Sequence, residues 1–182
     1  MPASGGGEPV CLTPESPEHP ETASCLFRFA DMVVDASRRR LIAVREDHTH
    51  PEPSRVVNEV VAVPLDGSGG PVEVLATGAD FYGAPRLSPD GAKLCFVRWF
   101  HPSMPWVATD LVVAALDPAG RALAGEVVVR GAAAGSHLQP AWCPASGDLL
   151  FISDASNGFY NLHRVAGSGG AAPDASWADK VT

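Results

Sequence analysis

The sequence predicts an all-β fold: a partial β-propeller of about three four-stranded antiparallel blades. Three segments of similar sequence follow one another, and the leucines at the same place in each, Leu41, Leu94 and Leu149, are 53 and 55 residues apart. Within each segment, two apolar runs flank a tight turn, and a further apolar run follows at a matching distance. Four short strands in a repeat of about 40–50 residues are the unit of a propeller.

Each repeat is predicted to contain, in order, a strand, a tight turn, a strand, a loop, a strand, a turn and a strand. Ser88–Gly91 is the clearest tight turn, because its proline presets φ and its glycine accepts a positive φ. The third strand is almost continuously apolar, as in Leu111–Leu116, which is typical of a sheet covered on both faces. Trp99, Trp142 and Phe151 lie in strand patterns and are expected in the core.

The repeat divides the chain into an N-terminal part and three blades: 1–24, 25–78, 79–131 and 132–182. In the first part, Glu8–Thr13 is expected to be the outer strand of a preceding blade, followed by a Pro-rich linker. The last strand of the third blade is placed at Trp177–Thr182. Propellers close with about 4–8 blades, so three and a fraction cannot form a ring. We expect the chain to be a fragment of a larger ring, or else to close by oligomerising.

Composition excludes several classes of function. The net charge of −8 leaves no excess of Lys and Arg for a nucleic-acid backbone. The one basic run, Arg38–Arg40, is expected to be a solvated turn. The four cysteines form no CxxC pair, which argues against a zinc site, and Cys95 and Cys143 are expected to be reduced core residues. His137 and His163 are expected to be structural.

No run of 18 apolar residues exists, so no membrane partner is expected, and the N-terminus lacks the pattern of a signal peptide. Neither a metal nor another cofactor is predicted. Together with reduced cysteines, these features favour an intracellular location: the cytoplasm, or a plastid if the protein is of plant origin.

Several segments resemble the propeller of the prolyl oligopeptidase family of serine peptidases, in particular its acylaminoacyl-peptidase-like and dipeptidyl-aminopeptidase-like branch. They are Phe29–Asp47, Gly78–Gly91, His101–Trp106 and Ser153–Leu162, and they contain Val-Arg-Glu-Asp, Asp-Phe-Tyr and His-Pro-Ser-Met-Pro-Trp in order. The resemblance implies a propeller followed by a C-terminal α/β-hydrolase domain with a Ser-Asp-His triad. It also implies that the propeller gates the active site and selects oligopeptide substrates.

The chain itself contains no catalytic residue that we can identify. A hydrolase nucleophile needs Gly-x-Ser-x-Gly on a turn from strand to helix, and no serine here has glycine at both flanking positions. The chain alone is therefore expected to be inactive as a peptidase. The alternative is a stand-alone TolB-like propeller that serves as a protein-interaction scaffold.

The candidate functional residues lie in loops that follow the second strand of a blade: Arg45, Glu46, Asp47, His101 and Trp106. These loops are predicted to share one face of the ring, which gives a substrate-facing or interdomain rim. In a peptide-facing role, Glu46 or Asp47 would pair with an amine and Arg45 with a carboxylate. Two other interpretations of the first loop are a metal site using His48 and His50, and a solvated loop without function.

Overall fold

A computed structural model describes residues 8–13, 26–50, 52–122 and 126–167. Their strands form three antiparallel sheets, each a meander in which consecutive strands are neighbours. The first sheet contains β1 (Phe27–Asp35), β2 (Arg40–Asp47), β3 (Val57–Pro64) and β4 (Glu73–Ala76). The second contains β5 (Phe81–Leu87), β6 (Lys93–Trp99), β7 (Asp110–Ala115) and β8 (Val127–Arg130). The third contains β9 (His137–Trp142), β10 (Leu149–Ser153) and β11 (Asn161–Val165). The predicted partial propeller is confirmed.

The strand register reproduces the sequence repeat. Each of the three repeat leucines forms the same cross-strand pair in its own sheet: Leu41 with Val34, Leu94 with Leu87, and Leu149 with Trp142. In each pair the leucine lies seven residues after its partner. The repeat is therefore a repeat of the hairpin between first and second strands, whose register the intervening turn sets.

The core lies between neighbouring sheets rather than within one. Between the first and second sheets, Ile42, Val60 and Phe96 belong to one buried cluster. Between the second and third, Leu111 and Phe151 belong to another. The third strands β3 and β7 are buried along most of their length, as their continuous apolar pattern predicts.

Arg38 and Arg40 correct the expectation of a solvated basic turn. Arg38 reaches from the first sheet to backbone carbonyls of the second, at Gly91 (3.1 Å), Asp117 (3.3 Å) and Pro118 (3.2 Å). Arg40 donates to the Gly120 carbonyl at 2.6 Å and is only 6% exposed. We call this pair the arginine clamp. The expectation was wrong because turn carbonyls of the next blade provide acceptors that the local sequence cannot reveal.

The predicted core residues divide into two groups. Cys95 and Phe151 are buried, and Trp99 and Trp142 are partly buried against the second cluster. Cys143 is not a core residue, since it lies partly exposed in the turn after β9. The cysteines at 11, 95 and 143 are free thiols.

The described residues cover the predicted blades incompletely. The predicted Pro-rich linker, Glu15–Thr22, and the last predicted strand, Trp177–Thr182, lie outside them. Glu8–Thr13 is described and has no strand structure; a β-strand needs a partner, so its assignment to a preceding blade stays a prediction. In the described part of the chain, no helix is long and apolar enough to cross a membrane.

Candidate functional site

A cavity of about 450 Å³ lies between the first and second sheets, at the ends where β2 and β6 finish. We call it the rim cavity. Its lining comes from the end of β2 and the loop after it, the start of β3, the connection into β5 with the first residue of that strand, and the loop after β6: Glu46, His48, Pro53, Ser54, Val56, Asn58, Asp80, Phe81 and His101. Two of the five predicted site residues, Glu46 and His101, are thus brought together.

Hydrogen bonds across the two sheets hold this cavity open. The side-chain amide of Asn58, which is 5% exposed, donates to the Asp80 carbonyl at 2.8 Å. The Asp80 carboxylate in turn accepts the backbone N–H of His101 at 2.8 Å. The Phe81 ring contacts the His101 imidazole edge-on, with centroids 4.9 Å apart, and stacks on Trp99. These contacts fix the position of His101 relative to the first sheet.

Glu46 is an acidic group of the rim cavity whose carboxylate is accessible to a ligand. Its side chain is 45% exposed, and its carboxylate lies 2.9 Å from His48 Nε2. Carboxylate, imidazole and an aromatic ring around one concavity provide acceptors, a donor and an apolar surface. Such a set can hold a cationic group on an apolar body, but it contains no activated nucleophile.

Arg45 and Asp47 are positioned for structural roles rather than for the cavity. The Arg45 guanidinium forms an ion pair with Glu59 on the neighbouring strand and lies 5.2 Å from the centre of the Phe27 ring. The Asp47 carboxylate accepts the backbone N–H of Thr49 at 2.8 Å and so closes the turn that follows β2. Neither residue lines the rim cavity.

Trp106 lies on the same face of the molecule but outside the cavity. Its side chain is 60% exposed in the loop after β6. That loop is tied to the third sheet, because the Pro105 carbonyl accepts the Ser136 hydroxyl at 2.7 Å. The Ser136 hydroxyl also accepts from the Tyr160 hydroxyl at 3.0 Å. The rim cavity and these contacts place the loops after β2, β6 and β10 on one face, where Trp106 and Phe159 are both exposed aromatic side chains.

Sequence reasoning missed Asn58, Asp80 and Phe81 as members of the site. Asp80 and Phe81 stand within the Asp-Phe-Tyr motif, but nothing in one sequence places them beside Glu46, 34 residues earlier. The metal interpretation of His48 and His50 gains no support: within the described ranges, no group of three or more His, Cys, Asp and Glu residues is placed to hold a metal ion.

Comparison with solved structures gives strong matches to peptidases. A crystal structure of puromycin hydrolase is 35% identical over 90% of this chain, with a TM-score of 0.74. A mutant of puromycin hydrolase complexed with PGG is 34% identical over 90%, with a TM-score of 0.75. A puromycin-hydrolyzing peptidase from Mycobacterium tuberculosis is 32% identical over 89%, with a TM-score of 0.72. The chain spans 24% of the length of each.

TolB from Acinetobacter baumannii matches 79% of the chain with a TM-score of 0.51 and 16% identity, which shows a shared fold alone. No protein-family model and no curated protein matches the sequence.

Proposed function

Because the chain is a β-propeller portion of a peptidase of the prolyl oligopeptidase family, we propose that it gates a catalytic domain and selects the oligopeptides that reach it. The catalytic partner is an α/β-hydrolase domain of the same full-length protein, and peptides are the substrates. The chain contributes the wall around the substrate and no catalytic group. The observation that carries the proposal is the identity of 32–35% to puromycin-hydrolyzing peptidases across nine-tenths of the chain.

The rim cavity is the part of this chain that we propose to contact peptide. Glu46 faces it with a half-exposed carboxylate, and Phe81 gives it an apolar wall. A carboxylate is the natural partner of a peptide ammonium group, and a charge-assisted hydrogen bond is about twice as strong as a neutral one. We therefore assign Glu46 to the amino end of a peptide. Arg45 has no carboxylate-binding role in this proposal, since Glu59 already occupies its guanidinium.

A role as a stand-alone scaffold is not favoured. TolB shares only the fold with this chain, whereas the puromycin-hydrolyzing enzymes share sequence over nearly its whole length.

The test measures binding of a short peptide with a free N-terminal amine to the 182-residue chain, with NMR signals of His101 as the local probe. Glu46→Gln removes the charge and keeps the shape, and should weaken binding about tenfold. Glu52→Gln is the matched control, because Glu52 is a carboxylate in the same loop that does not line the cavity. Equal affinities for the two variants would contradict the assignment.

A second measurement tests the absence of catalytic groups. A fluorophosphonate probe, which reacts with activated serines, should leave the chain unlabelled. Stoichiometric labelling of one serine would contradict the proposal, since it would place a nucleophile within these residues.

A further inference from the structure

A second cavity, of about 570 Å³, lies along the first strands β1, β5 and β9 of the three sheets. We call it the wall cavity. Its lining includes Arg86 and Asp31 beside the apolar residues Val97, Trp99, Leu138 and Pro140, so one guanidinium and one carboxylate stand at an apolar surface. Pro105, from the loop after β6, forms part of its border. The cavity is separate from the rim cavity, since the two share no lining residue.

The backbone of the three first strands shapes this cavity by a repeated irregularity. The backbone φ is positive at Asp31 (54°), Ala84 (49°) and Gln139 (52°), and all three residues line the cavity. They stand 53 and 55 residues apart, which is the period of the blades. At each, the register with the second strand shifts, as in a β-bulge. The same backbone irregularity therefore occurs at the same place in all three first strands.

Gly83 lies over the apolar side chains of the wall cavity and adds no side chain of its own. A Cβ atom at this position would lie 3.5 Å from the Trp99 ring and 3.6 Å from the Val97 side chain. With hydrogen there instead, the indole and the valine face the cavity beside Leu138 and Pro140. Apolar walls with a small number of polar groups are the usual composition of a ligand site.

Arg86 is the polar group of the wall cavity with unused hydrogen-bonding capacity. Its side chain is 37% exposed; Nη1 donates to the Pro85 carbonyl at 2.7 Å and lies 3.6 Å from the Asp31 carboxylate. Asp31 also accepts the backbone N–H of Ala84, which holds this carboxylate against the bulge. Within the described part of the chain, Nε and Nη2 of Arg86 have no hydrogen-bond partner. These two donors are the edge of a guanidinium that binds a carboxylate with two parallel hydrogen bonds.

We propose that the wall cavity binds the C-terminal carboxylate of a short peptide together with the apolar side chain of its last residue. Arg86 would bind the carboxylate, and Trp99, Leu138 and Pro140 would contact the side chain. The identification of the ligand as a peptide rests on the proposed function. The chemistry of the site, a guanidinium edge beside an apolar surface, rests on the wall cavity alone.

The test compares N-acetyl-Ala-Phe with its C-terminal amide, which has the same shape and no charge. Each is titrated into the 182-residue chain, with the indole N–H signal of Trp99 as the probe of the wall cavity. The acid should bind about tenfold more tightly than the amide. Arg86→Gln should abolish this preference. Arg121→Gln is the matched control: it removes the same charge from a side chain that is 69% exposed and lies outside the cavity.

Equal binding of acid and amide to the unaltered chain would overturn the proposal, and this comparison needs no variant to fold. Chemical-shift changes at His101 without any at Trp99 would also overturn it, because they would place the bound peptide at the rim cavity instead. Because the acetylated probe has no free amine, its failure leaves the separate test of Glu46 unaffected. A preference that Arg86→Gln abolishes, with the fold verified by unchanged signals elsewhere, supports the site.

Discussion

Removing Arg40 should destabilise the fold by about 3 kcal/mol, the lower end of the 3–5 kcal/mol that breaking a buried ion pair costs. Arg40 is 6% exposed, and its partner Asp35 is fully buried at a distance of 2.9 Å from Nε. Burial alone would raise the pKa of Asp35, but hydrogen bonds from Ser37, Arg40 and Arg38 together hold it below its usual value. In Arg40→Met, the buried Asp35 carboxylate loses the hydrogen bond and the positive charge of Arg40 and keeps only those of Ser37 and Arg38.

The lower end of the range is chosen because two features reduce the loss. Asp35 retains its hydrogen bonds to Ser37 (2.7 Å) and Arg38 (3.1 Å). The other acidic partner of Arg40, Glu73, has a side chain that is 41% exposed and regains water when the arginine is removed. The larger part of the loss therefore comes from the buried charge of Asp35 and from the Gly120 carbonyl, which loses its donor.

The assay is thermal unfolding of the 182-residue chain, in which a loss of this size lowers Tm by roughly 6–12 °C. Arg39→Gln is the control, because Arg39 belongs to the same basic run and is exposed; its effect should stay within about 0.5 kcal/mol. Adding Asp35→Asn to Arg40→Met should recover part of the stability, since the unpaired charge is then gone. If Arg40→Met has the same Tm as the control Arg39→Gln, the arginine clamp does not stabilise the packing of the first two sheets.

Three further predictions concern single residues. Burial lowers the pKa of His137 below its ordinary value of 6.5, so the folded state binds this proton less readily than the unfolded chain. The free energy of unfolding is therefore unaffected by His137 above pH 6.5 and falls as the pH drops from 6.5 towards the pKa of His137 in the folded chain. Calorimetry should show this decrease, and the His137→Gln variant should lack it. Burial raises the pKa of Cys95 to about 12, whereas a side-chain hydrogen bond lowers that of Cys143. Alkylation of the native chain followed by mass spectrometry should therefore modify Cys143 and spare Cys95, and modification of Cys95 at the same rate would contradict its burial. Gly120 and Gly147 both have positive φ, but a Cβ at Gly120 would overlap the arginine clamp, while one at Gly147 meets nothing within 4 Å. Gly120→Ala should lower Tm clearly more than Gly147→Ala, and equal losses would show that backbone strain alone matters.

The hairpin repeat could be predicted from sequence because it depends on local chemistry. The turn at Ser88–Gly91 and the leucine that follows it determine one register, and three copies of the pattern reinforce each other. The buried third strands could be predicted for the same reason, since a continuous apolar run indicates cover on both faces.

The contacts between blades could not be predicted, because they join residues with no sequence relation. Arg38 binds carbonyls 53 to 80 residues away, and a carbonyl has no signature in the sequence. The candidate site shows the same division. Glu46 and His101 were identified from the ends of the second strands and the loops that follow them, but the hydrogen bonds from Asn58 to Asp80 and from His101 to Asp80 that position His101 were not. The role of Arg45 towards a ligand stays a prediction; its ion pair with Glu59 on the next strand could not be foreseen from the sequence.

The proposal that this propeller selects oligopeptides is tested most directly by the substrate specificity of the full-length protein, in which we propose that a catalytic domain is joined to the chain. The measurement is kcat/KM for one unstructured peptide and for the same sequence held within a folded protein. We predict hydrolysis of the free peptide and none of the folded form, and loss of this discrimination when the propeller is opened by removing the blade at residues 79–131. Hydrolysis of both forms at equal rates by the intact protein would contradict the account.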